Sequence, residues 1–194
     1  MLIVVLILGV SLANMSLQGE KASRGDRDRQ VAINAAEAAL KDAELDIDPQ
    51  GAISANSRNS NFDGVSTVAF AADCNPGNST IGQGLCLTGN SAQPIWQTVN
   101  LSDDSANSAS VAFGRFTGQT MVTGIGSFPN KVPRYIIEPI VDKIPISTAD
   151  LGQAEYSNDT KGGKKYMYRI TAVGFGANPT TQVVLQSVYR KAIQ

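Results

Sequence analysis

The chain has 194 residues, a formal net charge of −1 and no histidine. A balanced charge gives no electrostatic attraction for nucleic acid. A chain without histidine lacks the commonest general base and the commonest metal ligand, which excludes Ser-His-Asp and Cys-His catalysis. We therefore predict a protein that is not an enzyme and has no metal, no cofactor, no small-molecule substrate and no nucleic-acid partner.

The first predicted element is an uncharged apolar run over residues 1–13. As a helix it covers about 20 Å, too little to span a hydrocarbon core of about 30 Å. We interpret residues 1–17 as a membrane and fibre-core segment, and expect the apolar helix to extend upstream of Met1. The rival interpretation is a cleaved signal peptide ending at Ala13, although no basic residue precedes the run. The predicted fibre-core side chains are Leu2, Ile3, Val4, Val5, Leu6, Ile7, Leu8, Val10 and Leu12.

A short charged segment, residues 20–29, follows the apolar run. Its mixed charges leave two interpretations open, namely ion pairs between the subunits of a fibre and a solvated helix face. The side chains concerned are Arg24, Asp26, Arg27, Asp28 and Arg29.

Residues 30–47 carry the clearest helical pattern, with apolar side chains recurring every three or four residues on one face. That face, which we predict to pack on a β-sheet, contains Ile33, Ala36, Leu40, Ala43 and Ile47. Side chains expected to lie mostly away from it are Glu37, Lys41, Asp42 and Glu44. The helix should end before Pro49, because a residue that precedes proline avoids the α conformation.

A continuous helix over residues 2–47 would be about 69 Å long, so one end must protrude from a domain of this size. We predict two units: a helix over residues 1–47, whose residues 30–47 are the amphipathic part, and a β-rich globular head over residues 48–194. The head is long enough for one hydrophobic core and too short for two.

Three segments of the head have strong strand patterns, rich in β-branched and aromatic residues: 134–141, 166–173 and 182–189. The last two are predicted to form a hairpin. Pro139 within the first indicates an edge strand or a bulge. Weaker strand patterns cover residues 65–70, 111–116 and 120–122.

The two cysteines, Cys74 and Cys86, flank a loop rich in glycine, asparagine and serine. A redox pair usually has the C-x-x-C spacing, and a zinc site needs four ligands that this chain does not supply. A structural disulfide in an oxidising compartment is the preferred interpretation. In the chain-entropy model it stabilises the fold by about 3 kcal/mol.

Both ends of the chain resemble one known family. Residues 25–44 resemble the N-terminal helix of PilX-type minor pilins of type IV pili, and residues 2–12 are similar to the inner part of that family's membrane segment. Residues 168–176 and 182–191 resemble its C-terminal hairpin, and residues 134–138 also fit. The middle of the chain, residues 50–130, resembles the family only loosely.

The resemblance implies an α+β, pilin-like fold, in which a long N-terminal helix packs on an antiparallel β-sheet. It also implies cleavage by a prepilin peptidase after a glycine, and a glutamate at the fifth mature position. This sequence departs from that pattern, because it has no Gly-Phe cleavage site and no acidic residue before Glu20. We expect the true start to lie upstream. The family's disulfide near the C-terminus is not carried over, since Cys74 and Cys86 lie mid-chain.

In function, the resemblance implies a minor pilin that takes part in initiating type IV pilus assembly near the tip, with effects on twitching motility and cell adhesion. The implied partners are other minor pilins, the major pilin and a large tip adhesin. The implied location is the Gram-negative inner membrane with a periplasmic head, and then the extracellular pilus. The alternatives are a pseudopilin of a type II secretion system and a soluble periplasmic binding domain released by signal cleavage.

Overall fold

The computed structural model describes the backbone of residues 2–51, 53–77, 80–87, 93–124, 126–142 and 165–191, and side chains from residue 18 onward. One helix, α1, Leu2–Ile47, runs without a break for 46 residues, and its length is about 69 Å. It ends next to the proline, as predicted. The N–H of Asp48 still donates to the carbonyl oxygen of Glu44 at 2.9 Å, and Pro49 follows.

A four-stranded antiparallel sheet forms the centre of the head, with its strands side by side in chain order. Its strands are β1 Val111–Ala112, β2 Arg134–Val141, β3 Tyr166–Phe175 and β4 Gln182–Tyr189. Two short helical turns complete the described elements, a 3-10 turn over Asn59–Asn61 and α2 over Ile95–Thr98. The three strong strand predictions are confirmed, as is the hairpin between β3 and β4.

The weaker strand predictions are mostly wrong. Residues 65–70 form no strand and end in a turn over residues 67–70, in which Phe70 N–H donates to the carbonyl oxygen of Thr67 at 3.0 Å. Val68 is 94% exposed, so the apolar pattern of this segment does not reflect a buried strand face. Phe70 does reach the core, where its ring lies 6.1 Å from that of Phe62. Of residues 111–116 only the first two are a strand, and residues 120–122 are not one.

Pro139 lies within β2 because its nitrogen faces the side of the strand away from β3. Ile137 donates its N–H to the carbonyl oxygen of Gly84 at 2.8 Å and accepts a bond from Cys86 N–H at 2.9 Å on that side. Backbone direction repeats every two residues along a strand, so Pro139 faces the same way. Among the described strands, none pairs with β2 at this position on that side. The missing N–H therefore costs no ladder bond, and β2 is an edge here, as predicted.

The sheet separates two apolar layers. One face packs on α1 and carries Tyr135 and Ile137 from β2 with Tyr168, Ile170 and Ala172 from β3. The opposite face is covered by the segment that carries the disulfide and α2, whose apolar residues meet Ile136, Val173 and Phe175. The architecture is the predicted α+β arrangement, with a long helix packed on an antiparallel sheet.

Candidate assembly interface

The part of α1 that contacts the head is lined mainly by alanine. Buried there, with no more than 3% of the surface exposed, are Ala32, Ala35, Ala36, Ala39, Ala43 and Ile47. Of the predicted packing residues, Ala36, Ala43 and Ile47 are therefore buried, whereas Ile33 and Leu40 are half-buried at the border of the contact. Compared with the predicted face, the observed contact face is rotated around the helix axis, away from Ile33 and Leu40 and towards the alanines.

Gly174 in β3 explains this rotation. A β-carbon at this position would overlap the carbonyl oxygen of Ala32 and the backbone nitrogen of Ala36. The strand and the helix thus approach backbone to backbone, which only glycine on one side and small residues on the other permit. Sequence reasoning missed Gly174, since a glycine inside a strand pattern indicates close backbone approach but does not say to what.

Two acidic side chains on the buried helix face are the second feature that sequence reasoning missed. Asp42 and Asp46 are only 1% and 2% exposed, although Asp42 was expected to lie away from the packed face. Asp42 accepts hydrogen bonds from Gly114 N–H at 2.8 Å and from the Thr117 hydroxyl. Both donors lie in the loop after β1, so this carboxylate ties that loop to the helix. The i, i+4 spacing of Asp42 and Asp46, which repeats that of Ala39 and Ala43, was the signal in the sequence that could have indicated their burial.

Asp46 is the centre of a buried ionic network. Arg58 binds both of its oxygens, with Nε 3.1 Å from Oδ1 and Nη2 2.7 Å from Oδ2. The hydroxyl of Tyr135 in β2 donates to the same carboxylate at 3.0 Å. Arg58 also donates to the carbonyl oxygens of Ile81 and Gln83. The network therefore joins the helix, the loop after it, the disulfide segment and the sheet.

Burial shifts the acidities of this network. It raises the pKa of the Asp42 carboxyl, against the opposing effect of the Thr117 hydrogen bond. It also raises the pKa of the Tyr135 hydroxyl well above its usual value, and the nearby charge of Asp46 adds to that shift. Tyr135 therefore stays neutral and acts as a hydrogen-bond donor at physiological pH.

The raised pKa of Asp42 predicts a pH dependence of stability. Because the folded state holds this proton more tightly, the contribution of Asp42 is complete below about pH 4 and is lost as pH rises through its folded pKa. Asp42→Asn removes this contribution. We expect the free energy of unfolding of the wild type, relative to the variant, to fall as pH rises from about 4 to 7 in urea titrations.

Asp28→Asn is the control with the opposite sign. Hydrogen bonds from Thr181 and the Asn178 backbone lower the pKa of Asp28, so its contribution is present at neutral pH and is lost as pH falls. The wild type should therefore lose stability relative to this variant on acidification. A wild-type advantage over Asp42→Asn that stays constant or grows with pH would contradict the assignment.

The predicted disulfide is present between Cys74 and Cys86, and both cysteines are fully buried. Asn75 supports the loop they close, because its side-chain amide donates to the carbonyl oxygens of Ala69, Gly82 and Leu85 at 3.1–3.3 Å. The backbone N–H of Cys86 donates a hydrogen bond to the carbonyl oxygen of Ile137 in β2. The disulfide thus holds a loop-rich segment on the outer face of the sheet.

The helix projects from the head on its N-terminal side. Side chains 18–27 are exposed, and the first contact with the β3–β4 loop is the bond from Asn178 N–H to the carboxylate of Asp28 at 2.9 Å. Arg27 donates to the Ser127 hydroxyl, and Arg24 pairs with Glu20 on the same helix. Of the charged segment, Arg27 and Asp28 therefore serve contacts within the chain.

Residues 2–17 continue the helix, but their side chains, including all the predicted fibre-core residues, lie outside the described part. Among the side chains that the structure describes, no helix is long and apolar enough to cross a membrane. In the same part of the chain, no group of three or more acidic or cysteine side chains is placed to hold a metal ion.

Comparison with known families decides the family. A model of the N-terminal region of PilX matches residues 1–41, and a model of the C-terminal region of the type IV pilus assembly protein PilX matches residues 71–191. The chain belongs to the PilX family. Its family is structural, and its role is that of a type IV pilus minor pilin. Neither the curated proteins nor the solved structures yield a match.

The two family matches cover some of the structural features described above and leave others out. The N-terminal match ends at residue 41, just before the buried acids Asp42 and Asp46, and the C-terminal match begins at residue 71 and includes both cysteines. Arg58 falls between the two matches. The contact that joins helix to head therefore lies partly in a segment, residues 42–70, that neither model covers.

Proposed function

We propose that this minor pilin takes part in initiating type IV pilus assembly and lies near the pilus tip. The observation that carries the proposal is the long helix, whose exposed N-terminal part projects from a head fixed to its C-terminal part. The backbone contact at Gly174 and the buried Asp46–Arg58 pair hold that head in one orientation. A projecting helix with a fixed head is a preformed docking surface, which lowers the entropy cost of adding the next subunit.

The proposal extends to partners, location and domain roles. The docking partners are other minor pilins, the major pilin and a large tip adhesin. Residues 1–17 anchor the subunit in the inner membrane before assembly and lie in the fibre core afterwards, with Leu2, Ile3, Val4, Val5, Leu6, Ile7, Leu8, Val10 and Leu12 as the core side chains. The head, residues 48–194, is periplasmic first and extracellular in the finished pilus.

Deletion of the gene distinguishes a subunit that initiates pilus assembly from one that is built into the pilus shaft. A subunit needed for nucleation changes how many pili form, whereas a shaft subunit changes how long each one grows. In a strain without a second copy, we expect fewer surface pili and reduced twitching, with the remaining pili of normal length. The wild-type gene supplied on a plasmid should restore the number.

Three outcomes would contradict the proposal. Normal piliation in the deletion strain would reject a role in assembly. Pili of normal number and reduced length would place the subunit in the shaft. Normal pili together with lost secretion of exported enzymes would favour a pseudopilin of type II secretion.

A further inference from the structure

An open cleft lies where the projecting helix meets the head. Its volume is about 720 Å³. One wall is the helix, with Lys21, Arg24 and Arg27, and the opposite walls are the loop at Ser127 and the β3–β4 loop at Thr181. A cleft of this size is larger than a single phosphate or carboxylate needs, and falls in the range that holds a ligand of several groups.

The cleft has an excess of positive charge. Among the described residues that line it, three side chains are cationic and one, that of Asp28, is a carboxylate. That carboxylate is already engaged, because it accepts hydrogen bonds from Asn178 and Thr181. It therefore fixes the position of the β3–β4 loop in the wall of the cleft, and has little hydrogen-bonding capacity left for a ligand.

Two of the cations are available to a partner. Lys21 and Arg24 are exposed, and the only described ion pair between them and the rest of the chain joins Arg24 to Glu20. That pair lies on one helix in solvent and is weak, so a better-placed carboxylate can replace Glu20. Arg27 is held by Ser127 at the far end of the cleft.

We propose that this cleft receives an acidic segment of a neighbouring pilin in the fibre, whose carboxylates bind Lys21 and Arg24. This inference rests on the proposed function, since it names the partner of the projecting helix. Charge complementarity selects an acidic partner, and the extent of the cleft, from the helix to two loops of the head, selects a protein segment over a lone anion. The contact orients one head relative to the next subunit.

Charge reversal in the full-length protein tests the proposal in the deletion strain. The variant Lys21→Glu/Arg24→Glu should produce about tenfold fewer surface pili than the wild-type gene, because each broken pair becomes a repulsion and each 1.4 kcal/mol is a factor of ten. The matched control is Lys41→Glu/Lys165→Glu, which changes the net charge equally at exposed positions outside the cleft. The control should stay within about twofold of the wild type.

Suppressor selection identifies the partner. Selecting for restored twitching in the Lys21→Glu/Arg24→Glu strain should yield changes of an acidic to a basic residue in another pilin. Thermal melting of the purified full-length variant in detergent should match the wild type, which separates a defect in docking from a defect in folding.

Four results would overturn the inference. Normal piliation by the cleft variant, or equal losses in the cleft and control variants, would show that the cleft has no specific role. Suppressors in lipid synthesis would assign the cleft to an anionic headgroup instead. Normal piliation without the gene at all would reject the proposed function and this inference with it, whereas rescue by both wild type and cleft variant rejects the inference alone.

Discussion

Replacing Arg58 with alanine is expected to lower the free energy of unfolding by about 3–5 kcal/mol, because it leaves the charge of Asp46 buried without its ionic partner. Both side chains of this pair are completely buried. The substitution also removes the bonds from Arg58 to the carbonyl oxygens of Ile81 and Gln83. It further removes a cation–π interaction, since the guanidinium carbon lies 3.8 Å from the centre of the Phe116 ring.

Urea unfolding of the purified full-length protein in detergent measures this loss, and Arg24→Ala is the matched control. Arg24 also pairs with an acid, Glu20, but both of those side chains are more than half exposed. Such a pair contributes at most about 0.5 kcal/mol, so its removal should barely change the unfolding curve. Equal effects of the two variants would contradict the assignment of Asp46–Arg58 as the pair that joins the helix to the head.

Replacing Gly174 with alanine is expected to cost at least about 3 kcal/mol, the upper end of what an overpacked core costs. The added β-carbon would overlap backbone atoms of Ala32 and Ala36, and backbone cannot rotate away as a flexible side chain can. The strand and the helix must therefore separate. Because the same contact orients the head, we also expect fewer surface pili from this variant.

Gly19→Ala is the control for that substitution, because a β-carbon at Gly19 meets no atom within 4 Å. Gly19 lies on the exposed part of α1, where alanine is favoured over glycine by roughly 0.5–1 kcal/mol. The control should therefore leave the melting temperature unchanged or raise it. A Gly174→Ala protein as stable as wild type would show that the helix and β3 can separate freely, and would remove the argument for a fixed head.

Local patterns in the sequence determined the elements that repeat regularly. The spacing of apolar residues predicted the helix and its end at Pro49, and alternation of β-branched and aromatic residues predicted β2, β3 and β4. Two cysteines in a chain of this composition sufficed to predict their disulfide. The helix and strand predictions are confirmed because each depends on neighbours close in sequence, whose geometry the helix and strand periods fix. The disulfide prediction is confirmed because the spacing and number of the cysteines fit neither a redox pair nor a zinc site.

The tertiary structure decided how the buried face of the helix is rotated relative to the predicted one, and what the loops do. The contact centres on alanines and two aspartates because Gly174, more than 100 residues later in the chain, brings β3 against the helix backbone. Asp42 and Asp46 are buried only because Gly114, Thr117, Arg58 and Tyr135 supply donors from distant segments. The hydrophobic pattern of a helix indicates which apolar residues are buried. A buried carboxylate is stabilised by hydrogen-bond partners from distant segments, which no local pattern indicates.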